Sequence, residues 1–410
     1  MGEGFNCESG KNYIFFCLFE YAIKSNFYTQ DNFSWVFFVF IFLMKGGEMM
    51  DHSYYMKFAI HIAEKAKGQT SPNPVVGAVV VKNGEIIGFG AHLKAGEGHA
   101  EVLAMQMAGD KAKESTVYVT LEPCSHFGKT PPCANLLIDK KVSKVVIATL
   151  DPNPLVSGNG VKRLEEAGIE VIVGVEEESA KKLNDVFFYN MQTKEPFVTV
   201  KTATSLDGKT ATHTGDSKWI TGEEARYDVH TYRHQHDAIL VGVNTIIADN
   251  PSLTTRLDSG GKNPIRIILD TNLRIPSQSK VLVDKETPTW IFTSKLASKD
   301  KINEINKNDL VEVIQLETCE VKISVVLKLL GERGITSLFV EGGATVNGSF
   351  LKEKKINQLI TYIAPTLIGG ENAPTSIGGE GFQKMVETFA LSIEEVSMVG
   401  KDIKIIAKPN

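Results

Sequence analysis

Apolar segments of two kinds alternate along the chain from Met50 onward, and this alternation restricts the possible folds more than any other feature. Strand-type segments (VVGAVVV, EIIGFG, STVYVTL, KVVIATL and IEVIVGV) are interspersed with segments of helical spacing (SYYMKFAIHIAEKAKG, HAEVLAMQMAG, PPCANLLIDKK and GVKRLEEAG). Strands that alternate with helices predict a largely parallel sheet covered by helices. Between the first two strands, Lys82-Asn83-Gly84 predicts a hairpin that turns on Asn-Gly.

The same alternation starts again after Lys194-Glu195-Pro196. The strand-type segments FVTVKTA, AILVGV, IRIILD, TWIFTS, SLFVEGG and LITYIAP follow, with the helical segments EEARYDVHTYRHQ and KISVVLKLLGERG between them. A chain of 410 residues also exceeds the size at which a single hydrophobic core keeps growing. We therefore predict two α/β domains, at residues 50–195 and 196–410, joined after the helical segment ESAKKLNDVFFYNMQT.

Residues 1–49 differ from the rest, since they hold ten of the 21 phenylalanines. The apolar run Trp35 to Met44 has about half the length that spans a bilayer. A signal peptide is disfavoured because acidic rather than basic residues occupy the extreme N-terminus. KGGEMM could be encoded by a purine-rich stretch like a bacterial ribosome-binding site just before a start codon. We expect the natural start at Met49 or Met50, with residues 1–49 as an extension that is not translated.

The composition is that of an ordinary enzyme, with 42% hydrophobic and 23% charged residues. A formal net charge of −5 gives no basic surface for wrapping nucleic acid, so we expect no nucleic-acid partner. Five cysteines are too few for a disulfide framework in a chain of this length. We expect a cytoplasmic protein, where nearby Cys and His side chains indicate metal or catalytic sites.

Two of these cysteines, Cys124 and Cys133, lie in the short segment TLEPCSHFGKTPPC. A disulfide, two inert core residues and a metal site are the alternatives. His99 lies upstream in the tripeptide HAE, and one imidazole with two thiolates gives the three-ligand set of a catalytic zinc with an open fourth position. Zinc in such a site lowers the pKa of a bound water to roughly 7. We predict that His99, Cys124 and Cys133 bind Zn²⁺.

Glu101 lies two residues beyond the first ligand and is not needed for coordination. Its carboxyl is suited to take a proton from the water and deliver it to a leaving amine, the general acid/base role of zinc deaminases. Cys133 follows two prolines and should open a helix, whose dipole favours thiolate. The alternatives are a structural zinc, for which His126 is the obvious fourth ligand, and no metal.

The constellation HAE…PC…C resembles the cytidine-deaminase-like superfamily. Its usual second element is PCxxC, whereas eight residues separate the two cysteines here. The longer EPCSHFGKTPPC is similar to the deaminase half of the bifunctional deaminase/reductase family of riboflavin biosynthesis, and the resemblance runs from about Met50 to the C-terminus. It implies deamination of a diaminopyrimidinone that carries a phosphoribosylamino group, followed by reduction of the ribose to a ribityl chain. It also implies an N-terminal cytidine-deaminase-like α/β/α domain.

The resemblance further implies a deaminase substrate pocket. Its residues are Asn73, His92, His126, Lys129, Asp151 and Asn153. Amide and carboxylate groups can satisfy the edges of a pyrimidine or ribose hydroxyls, and Lys129 and His92 suit a phosphate.

The second half lacks a G-x-G-x-x-G after a strand, so a Rossmann site is not indicated. FVEGGATVNGSF combines a strand, an acidic residue, a double glycine and a helix start, where backbone N–H groups can approach a phosphate. This segment resembles the NADPH pyrophosphate loop of the riboflavin reductase, whose fold is dihydrofolate-reductase-like. VKTATSLDGKTA, TGDSKWITG and ILVGVNTIIADNPSLTTR match the same family.

The match implies NADPH contacts from Ala203, Trp219, Thr245, Asp249, Gly343, Ala344, Thr345, Val346, Asn347, Gly348 and Ser349. It implies substrate contacts from Ser217, Arg233, Leu253, Arg256 and Glu341. Arg233 and Arg256 suit a clamp for a sugar phosphate. Lys201 and Asp249 are the candidates for the proton donor, and Lys201 could instead be a solvated strand lysine.

We therefore expect a bifunctional enzyme with one zinc ion per chain and NADPH, a small phosphoribosyl pyrimidine as substrate, no membrane partner and a homo-oligomeric assembly. Hydride would go to C1′ of the ring-opened ribosylamino group. A nucleic-acid deaminase with an accessory domain is disfavoured by the acidic net charge and the lack of an aromatic-basic stripe. A silent scaffold that uses zinc for stability is disfavoured by the presence of Glu101.

Overall fold

Two β-sheets organise the residues that the computed structural model describes, which are 51–126, 131–153 and 157–410. Residues 52–410 belong to one unit. The predicted extension at residues 1–49 lies outside the described part of the chain. Within that part, no helix is long and apolar enough to cross a membrane.

The first sheet has five strands in the order β2-β1-β3-β4-β5. The elements are α1 His52–Glu64, β1 Gly77–Lys82, β2 Glu85–Ala91, α2 Ala100–Ala108, β3 Thr116–Val119, α3 Cys133–Asp139, β4 Lys144–Ile147, α4 Asn159–Glu166 and β5 Glu170–Val173. Strands β3, β4 and β5 are parallel, whereas β1 is antiparallel to both of its neighbours. The sheet therefore differs from the predicted largely parallel one at β1, which runs against its neighbours because the chain reverses direction in the β1–β2 hairpin.

The hairpin turns where the sequence predicts it. Asn83 and Gly84 both have positive φ, 53° and 80°, as a two-residue turn of the mirror-image type requires. Helix α2 lies directly across β2: a Cβ added at Gly90 would be 2.6 Å from Leu103 Cβ and 2.8 Å from the Ala100 carbonyl oxygen. This close approach fixes the start of α2, where the candidate zinc ligand and proton carrier lie.

The segment ESAKKLNDVFFYNMQT forms two helices rather than the single predicted one. These are α5 Glu177–Leu183 and α6 Asp185–Thr193. Asn184 lies between them, and its side chain accepts a hydrogen bond from Val75 N at 2.9 Å and donates one to Val75 O at 2.8 Å. The buried amide satisfies the backbone before β1, which no local helical pattern could indicate.

The second sheet has nine strands in the order β10-β9-β8-β7-β11-β6-β12-β14-β13. The elements are β6 Phe197–Ser205, α7 Glu223–Gln235, β7 Ala238–Gly242, α8 Val243–Asp249, β8 Ile265–Leu269, α9 Lys280–Val283, β9 Thr289–Thr293, α10 Lys299–Ile305, β10 Val311–Gln315, α11 Ile323–Glu332, β11 Ser337–Val340, α12 Ala344–Lys352, β12 Gln358–Ala364, β13 Leu391–Val399 and β14 Asp402–Pro409. Strands β13 and β14 pair antiparallel at one edge, and the other pairings, apart from β12 with β14, are parallel.

The sequence patterns indicate the buried parallel strands and miss β10, β13 and β14. All four residues of β11 are buried, and a strand buried on both faces is read as one apolar run. Most of β13 is exposed, so it has no such run. The predicted boundary at residue 195 lies between α6 and β6, where the chain passes from the first sheet to the second, and the division into domains stays a prediction.

Candidate active sites

The three predicted zinc ligands come from two helix starts in the first sheet's half of the chain. His99 is the N-cap of α2, with extended backbone at φ −70° and ψ 163°. Cys133 is the first residue of α3, behind Pro132, and Cys124 lies in the segment after β3. Strands β2 and β3 both pair antiparallel with β1, so they run in the same direction, and the segments that follow them begin at the same edge of the sheet.

The ligand atoms of His99, Cys124 and Cys133 all lie within 4.8 Å of one another. The Nδ1 atom of His99 is 3.5 Å from Cys124 Sγ and 3.3 Å from Cys133 Sγ. The hydrogen bond from the Cys133 thiol, together with those from His99 and the Cys133 N–H, outweighs burial and lowers the pKa of Cys124 to about 4. One imidazole and two thiolates fit the donor set of a catalytic zinc, and no fourth His, Cys, Asp or Glu joins the cluster within the described residues.

Glu101 lies beside this cluster in the first turn of α2, and only 3% of its surface is exposed. Burial, aided by the negative charge of Cys124, raises the pKa of its carboxyl to about 7. A buried carboxyl of this kind can hold or release a proton near neutral pH.

Glu122 is a functional neighbour that the sequence analysis did not single out. Its buried carboxylate accepts hydrogen bonds from the backbone N–H groups of Gly158 at 3.0 Å and Gly160 at 2.8 Å, at the start of α4. It also accepts one from Asp151 N at 3.3 Å. Because Glu122 immediately precedes Pro123-Cys124, it links the zinc-ligand segment to the loop that carries Asp151. Its place in EPC, next to a ligand, was the available signal.

Two predicted pocket residues contact each other beside the zinc ligands. Asn73 Nδ2 is 3.1 Å from His92 Nε2, and His92 Nδ1 is 3.2 Å from the Gly98 carbonyl oxygen. The rings of His92 and His99 pack edge to face, with centroids 5.4 Å apart. Burial lowers the pKa of His92, which favours a neutral ring that donates to Gly98 O and accepts from Asn73. His92 therefore lies behind Asn73, and its predicted contact with a phosphate stays a prediction.

Asp151 adjoins the ligand segment through the hydrogen bond from its backbone N–H to Glu122. Asp151 Oδ1 accepts a hydrogen bond from Asn153 N at 2.8 Å, and burial raises the pKa of Asp151 while the nearby His126 opposes this rise. His126 is exposed, and Asn153 is half-buried. Lys129 lies outside the described residues.

Several of the predicted reductase residues lie at the carboxyl edge of three neighbouring parallel strands, β7, β11 and β6. Helix α8 follows β7 and carries Thr245 and Asp249, while α12 follows β11 and begins after Gly343. Ligands of open α/β sheets bind at such an edge. Ala203, near the end of β6, is also half-buried there.

The start of α12 is shaped as an open cradle. Among the described residues, and apart from the chain neighbours, no heavy atom lies within 4 Å of a Cβ placed at Gly343, whereas a Cβ at Gly342 would be 2.6 Å from Val346 Cγ1. Residues 344–349 form the first turns of α12. The backbone N–H groups at the very start of the helix are the ones that an anion can reach. The space and the donors fit the pyrophosphate of a dinucleotide.

A charged cluster adjoins this cradle. Arg233 donates to Glu341 through Nε at 2.6 Å and through Nη2 at 3.1 Å, and its Nη1 donates to the Thr254 carbonyl oxygen at 3.0 Å. Burial lowers the pKa of Lys201, and Glu341 opposes this effect. Arg233 thus already pairs with a carboxylate. A phosphate could be bound only by its remaining N–H groups, and the role of Arg233 as a phosphate clamp stays a prediction.

The other predicted reductase residues differ in exposure. Leu253 is buried with a left-handed φ of 54°, a strained backbone for a leucine, and Ser217 is half-buried. Arg256 is exposed, and so is Trp219, whose ring centre is 4.8 Å from the Arg226 guanidinium. Asp249 is exposed and pairs with Lys218 at 3.5 Å. Of the two proton-donor candidates, only Lys201 lies within the charged cluster.

Comparisons with known proteins find a matching family domain in each half of the chain. Residues 49–149 match the cytidine and deoxycytidylate deaminase zinc-binding region, and residues 196–405 match the RibD C-terminal domain. The chain is 53% identical to the riboflavin biosynthesis protein RibD of Bacillus amyloliquefaciens over 359 residues, which are 87% of this chain and 96% of that protein.

Solved structures of similar sequence share the fold of both halves. Acinetobacter baumannii RibD, form 1, is 40% identical with a TM-score of 0.78, over 87% of this chain and 98% of that chain. The diaminohydroxyphosphoribosylaminopyrimidine deaminase/5-amino-6-(5-phosphoribosylamino)uracil reductase of Thermotoga maritima is 37% identical with a TM-score of 0.77, over the same shares of the two chains. The predicted fold is confirmed, and the chain belongs to the RibD family of bifunctional riboflavin-biosynthesis enzymes, with a zinc-dependent deaminase half followed by a reductase half.

Proposed function

We propose that this chain catalyses two successive reactions of riboflavin biosynthesis. The first is hydrolytic deamination of 2,5-diamino-6-(5-phosphoribosylamino)pyrimidin-4-one to 5-amino-6-(5-phosphoribosylamino)uracil, in which water replaces the amine and ammonia leaves. The second reduces the ribosyl group to the ribityl chain with NADPH. The observation that carries the proposal is the convergence of three zinc-ligand atoms within 4.8 Å beside the buried Glu101.

In the deaminase half, His99 Nδ1 and the thiolates of Cys124 and Cys133 would hold the zinc ion. Bound zinc supplies activation of a water at neutral pH. Glu101 would hold a proton taken from the water on a carboxyl oxygen and deliver it to the departing amine, since a carboxyl with a pKa near 7 can both take up and release a proton. Burial of Glu101 excludes bulk water from this transfer.

Orientation of the pyrimidine falls to the predicted pocket residues. Asn73 is fixed by His92, so its amide oxygen remains available to a ring amine or amide of the substrate. Asp151 and Asn153 are held in one turn and suit ribose hydroxyls or the ring edge. Lys129 and His92 are the proposed partners of the phosphate, and His126 is a further proposed contact of the substrate.

In the reductase half, the start of α12 would hold the NADPH pyrophosphate, with Thr245, Asp249, Ala203 and Trp219 as further contacts. NADPH supplies the hydride for C1′ of the ring-opened sugar. Lys201 is the proposed proton donor, since burial makes its ammonium group easier to deprotonate. Glu341 and Arg233, paired in a bidentate contact, keep the neighbouring charges in place.

The remaining assignments rest on the resemblance to the riboflavin reductase family. Ser217, Leu253, Arg256, Arg233 and Glu341 are the proposed contacts of the uracil substrate. The acidic chain has a small molecule as substrate rather than a nucleic acid. A cytoplasmic location and a homo-oligomeric assembly remain part of the proposal.

The test is a substrate comparison with the purified protein. We expect ammonia release from the diaminopyrimidinone phosphate, and none from cytidine or tRNA, followed by NADPH oxidation on the deaminated product. The deaminated product supplied alone should be reduced without ammonia release. Deamination of cytidine or tRNA in preference to the pyrimidine phosphate would contradict the proposal.

A further inference from the structure

The turn that carries Asn73 is anchored outside the deaminase half. Residues 70–73 form one closed turn: Asn73 N donates to the Thr70 carbonyl oxygen at 2.8 Å, and Thr70 Oγ1 donates to the Asn73 carbonyl oxygen at 3.0 Å. Thr70 is buried, with 3% of its surface exposed. Since Ser71 lies within this turn, whatever holds Ser71 also sets the position of Asn73.

Ser71 is held by a carboxylate of the reductase half. Its hydroxyl donates to Asp237 Oδ2 at 2.9 Å. The same oxygen accepts from Thr336 N at 3.0 Å and from Thr336 Oγ1 at 2.7 Å, and Lys262 Nζ is 3.2 Å from Asp237 Oδ1. Asp237 precedes β7 and Thr336 precedes β11, so two neighbouring strands of the second sheet fix the carboxylate before it meets the turn.

The hydroxyl of Ser71 has a further contact with the same group of residues: it lies 3.3 Å from Thr336 Oγ1, which itself donates to Asp237. A cavity of about 670 Å³ lies between the two halves and is lined by Ser71 and Asn73 on one side and by His236 and Thr336 on the other. Ser71 and Asn73 are half-buried beside this cavity, whereas Thr70 is buried. The adjacent backbone does touch the reductase half at Gly68, which has φ +85°, where an added Cβ would be 2.6 Å from Gln235 Cα.

From the turn, contacts continue to the zinc ligands. Asn73 contacts His92 at 3.1 Å, and His92 contacts both the Gly98 carbonyl oxygen and the ring of His99. A shift of Ser71 would move the amide of Asn73 relative to the zinc ligands and leave the ligands themselves in place. Such a shift would change substrate binding more than the chemical step.

We propose that Asp237 of the reductase half is a positioning residue for the deamination reaction, acting through Ser71 on Asn73. The inference rests on the proposed deaminase function. Asp237 lies 166 positions along the chain from Ser71. It belongs to the half that performs the second reaction, and the proposal gives it a role in the first.

The test measures deamination kinetics of the full-length zinc enzyme in four variants. Ser71→Ala and Asp237→Ala should each raise KM for the diaminopyrimidinone by about tenfold, the effect of losing one hydrogen bond to a charged acceptor, with kcat nearly unchanged. The double variant should be no worse than either single variant, because both remove the same contact. Asp237→Asn keeps an acceptor oxygen and should restore most of the wild-type KM.

Zinc content and NADPH-dependent reduction of the deaminated product should be unchanged in Ser71→Ala. The matched control is Lys408→Met, which removes another contact between the halves, the 2.8 Å ion pair with Asp185, without touching the turn. It should leave the KM for deamination unchanged.

Three results would overturn the inference. A wild-type KM in Ser71→Ala would show that the anchor is not used. Effects that multiply in the double variant would show that the two residues act independently, and an equal rise in Lys408→Met would show general loosening of the halves. Absence of ammonia release by the wild-type protein would overturn the proposed function, and this inference with it.

Discussion

The two candidate sites of this chain are built in different ways. The zinc ligands His99, Cys124 and Cys133 lie within 34 positions of one another and are placed by two strands of one sheet and two helix starts. The charged cluster of the reductase site joins Arg233 to Glu341, which are 108 positions apart, through three strands that meet only in the folded sheet. A site built from near neighbours can be identified in the sequence, whereas one built across a sheet depends on the topology.

The largest effect on activity is expected from a substitution that removes a zinc ligand and leaves the reductase site intact. Cys124→Ser should lower deamination by well over a hundredfold, since loss of outer partners of a metal ligand alone costs ~10–100-fold. Reduction of the already deaminated product should stay near wild type, because the reductase residues lie on another sheet. Ammonia release, NADPH absorbance and zinc content are measured on the same preparation.

Cys319→Ser is the matched control, since Cys319 is exposed and lies outside the zinc cluster. It should retain zinc and both activities. A Cys124→Ser protein that is folded but has lost both activities would show that the two sites are not separate.

The next effect separates zinc binding from proton transfer within the deaminase site. Glu101→Gln should retain zinc and lose ~10²–10⁴ in the rate of deamination, because the amide cannot carry the proton. Glu97→Gln is the control, since Glu97 is an exposed glutamate whose carboxylate forms a surface ion pair with Lys94 at 4.0 Å. Loss of zinc from Glu101→Gln would identify Glu101 as a ligand.

Sequence patterns identify those parts of the fold and sites that depend on local rules. The Asn83-Gly84 turn, the start of α2 at His99 and the apolar strand β11 follow from turn chemistry, capping and burial. The break at Asn184 depends on a hydrogen bond to Val75, 109 positions away, which no local pattern reports.

The same reasoning applies to the candidate sites. The resemblance of the sequence to a known family indicates that Arg233 and Glu341 belong to the reductase site, and only the folded sheet shows that they pair with each other. The contact between Ser71 and Asp237 had no sequence signal, because serine and aspartate before a turn or strand are common in any protein.

A smaller effect tests the cradle at the start of α12. Gly343→Val should raise the KM for NADPH about tenfold, because the side chain would occupy the space through which a pyrophosphate reaches the backbone N–H groups. Apart from its chain neighbours, no atom of the residues that the structure describes lies within 4 Å of the new Cβ, so the fold and the zinc content should be unaffected. NADPH titration and circular dichroism provide the two measurements.

Lys352→Val, at the exposed far end of the same helix, is the control and should bind NADPH normally. If Gly343→Val retained the wild-type affinity for NADPH, the cradle would not be the pyrophosphate site.

The smallest effect concerns stability near the reductase cluster. Burial, with repulsion from Arg233 and Arg256, lowers the pKa of His230 from 6.5 to about 4. The unfolded chain therefore binds more protons than the folded one between these two values, so stability is lost as the pH falls below about 6.5. His230→Gln should show a smaller shift of the urea midpoint than wild type between about pH 7.5 and about pH 5.

His61→Gln, which changes an exposed histidine of α1 far along the chain from the reductase cluster, is the matched control for the replacement of a histidine by glutamine. A pH dependence that is identical in wild type and His230→Gln would contradict the assignment of a neutral His230 to the folded state.

The most direct test of the central claim, two separate chemistries in one chain, is removal of the metal from the wild-type protein. After treatment with a chelator, ammonia release from the diaminopyrimidinone should disappear, and it should return when zinc is added. NADPH oxidation on the deaminated product should be the same before and after treatment. Ammonia release that persists without zinc, or reduction that falls in step with the zinc content, would contradict the account.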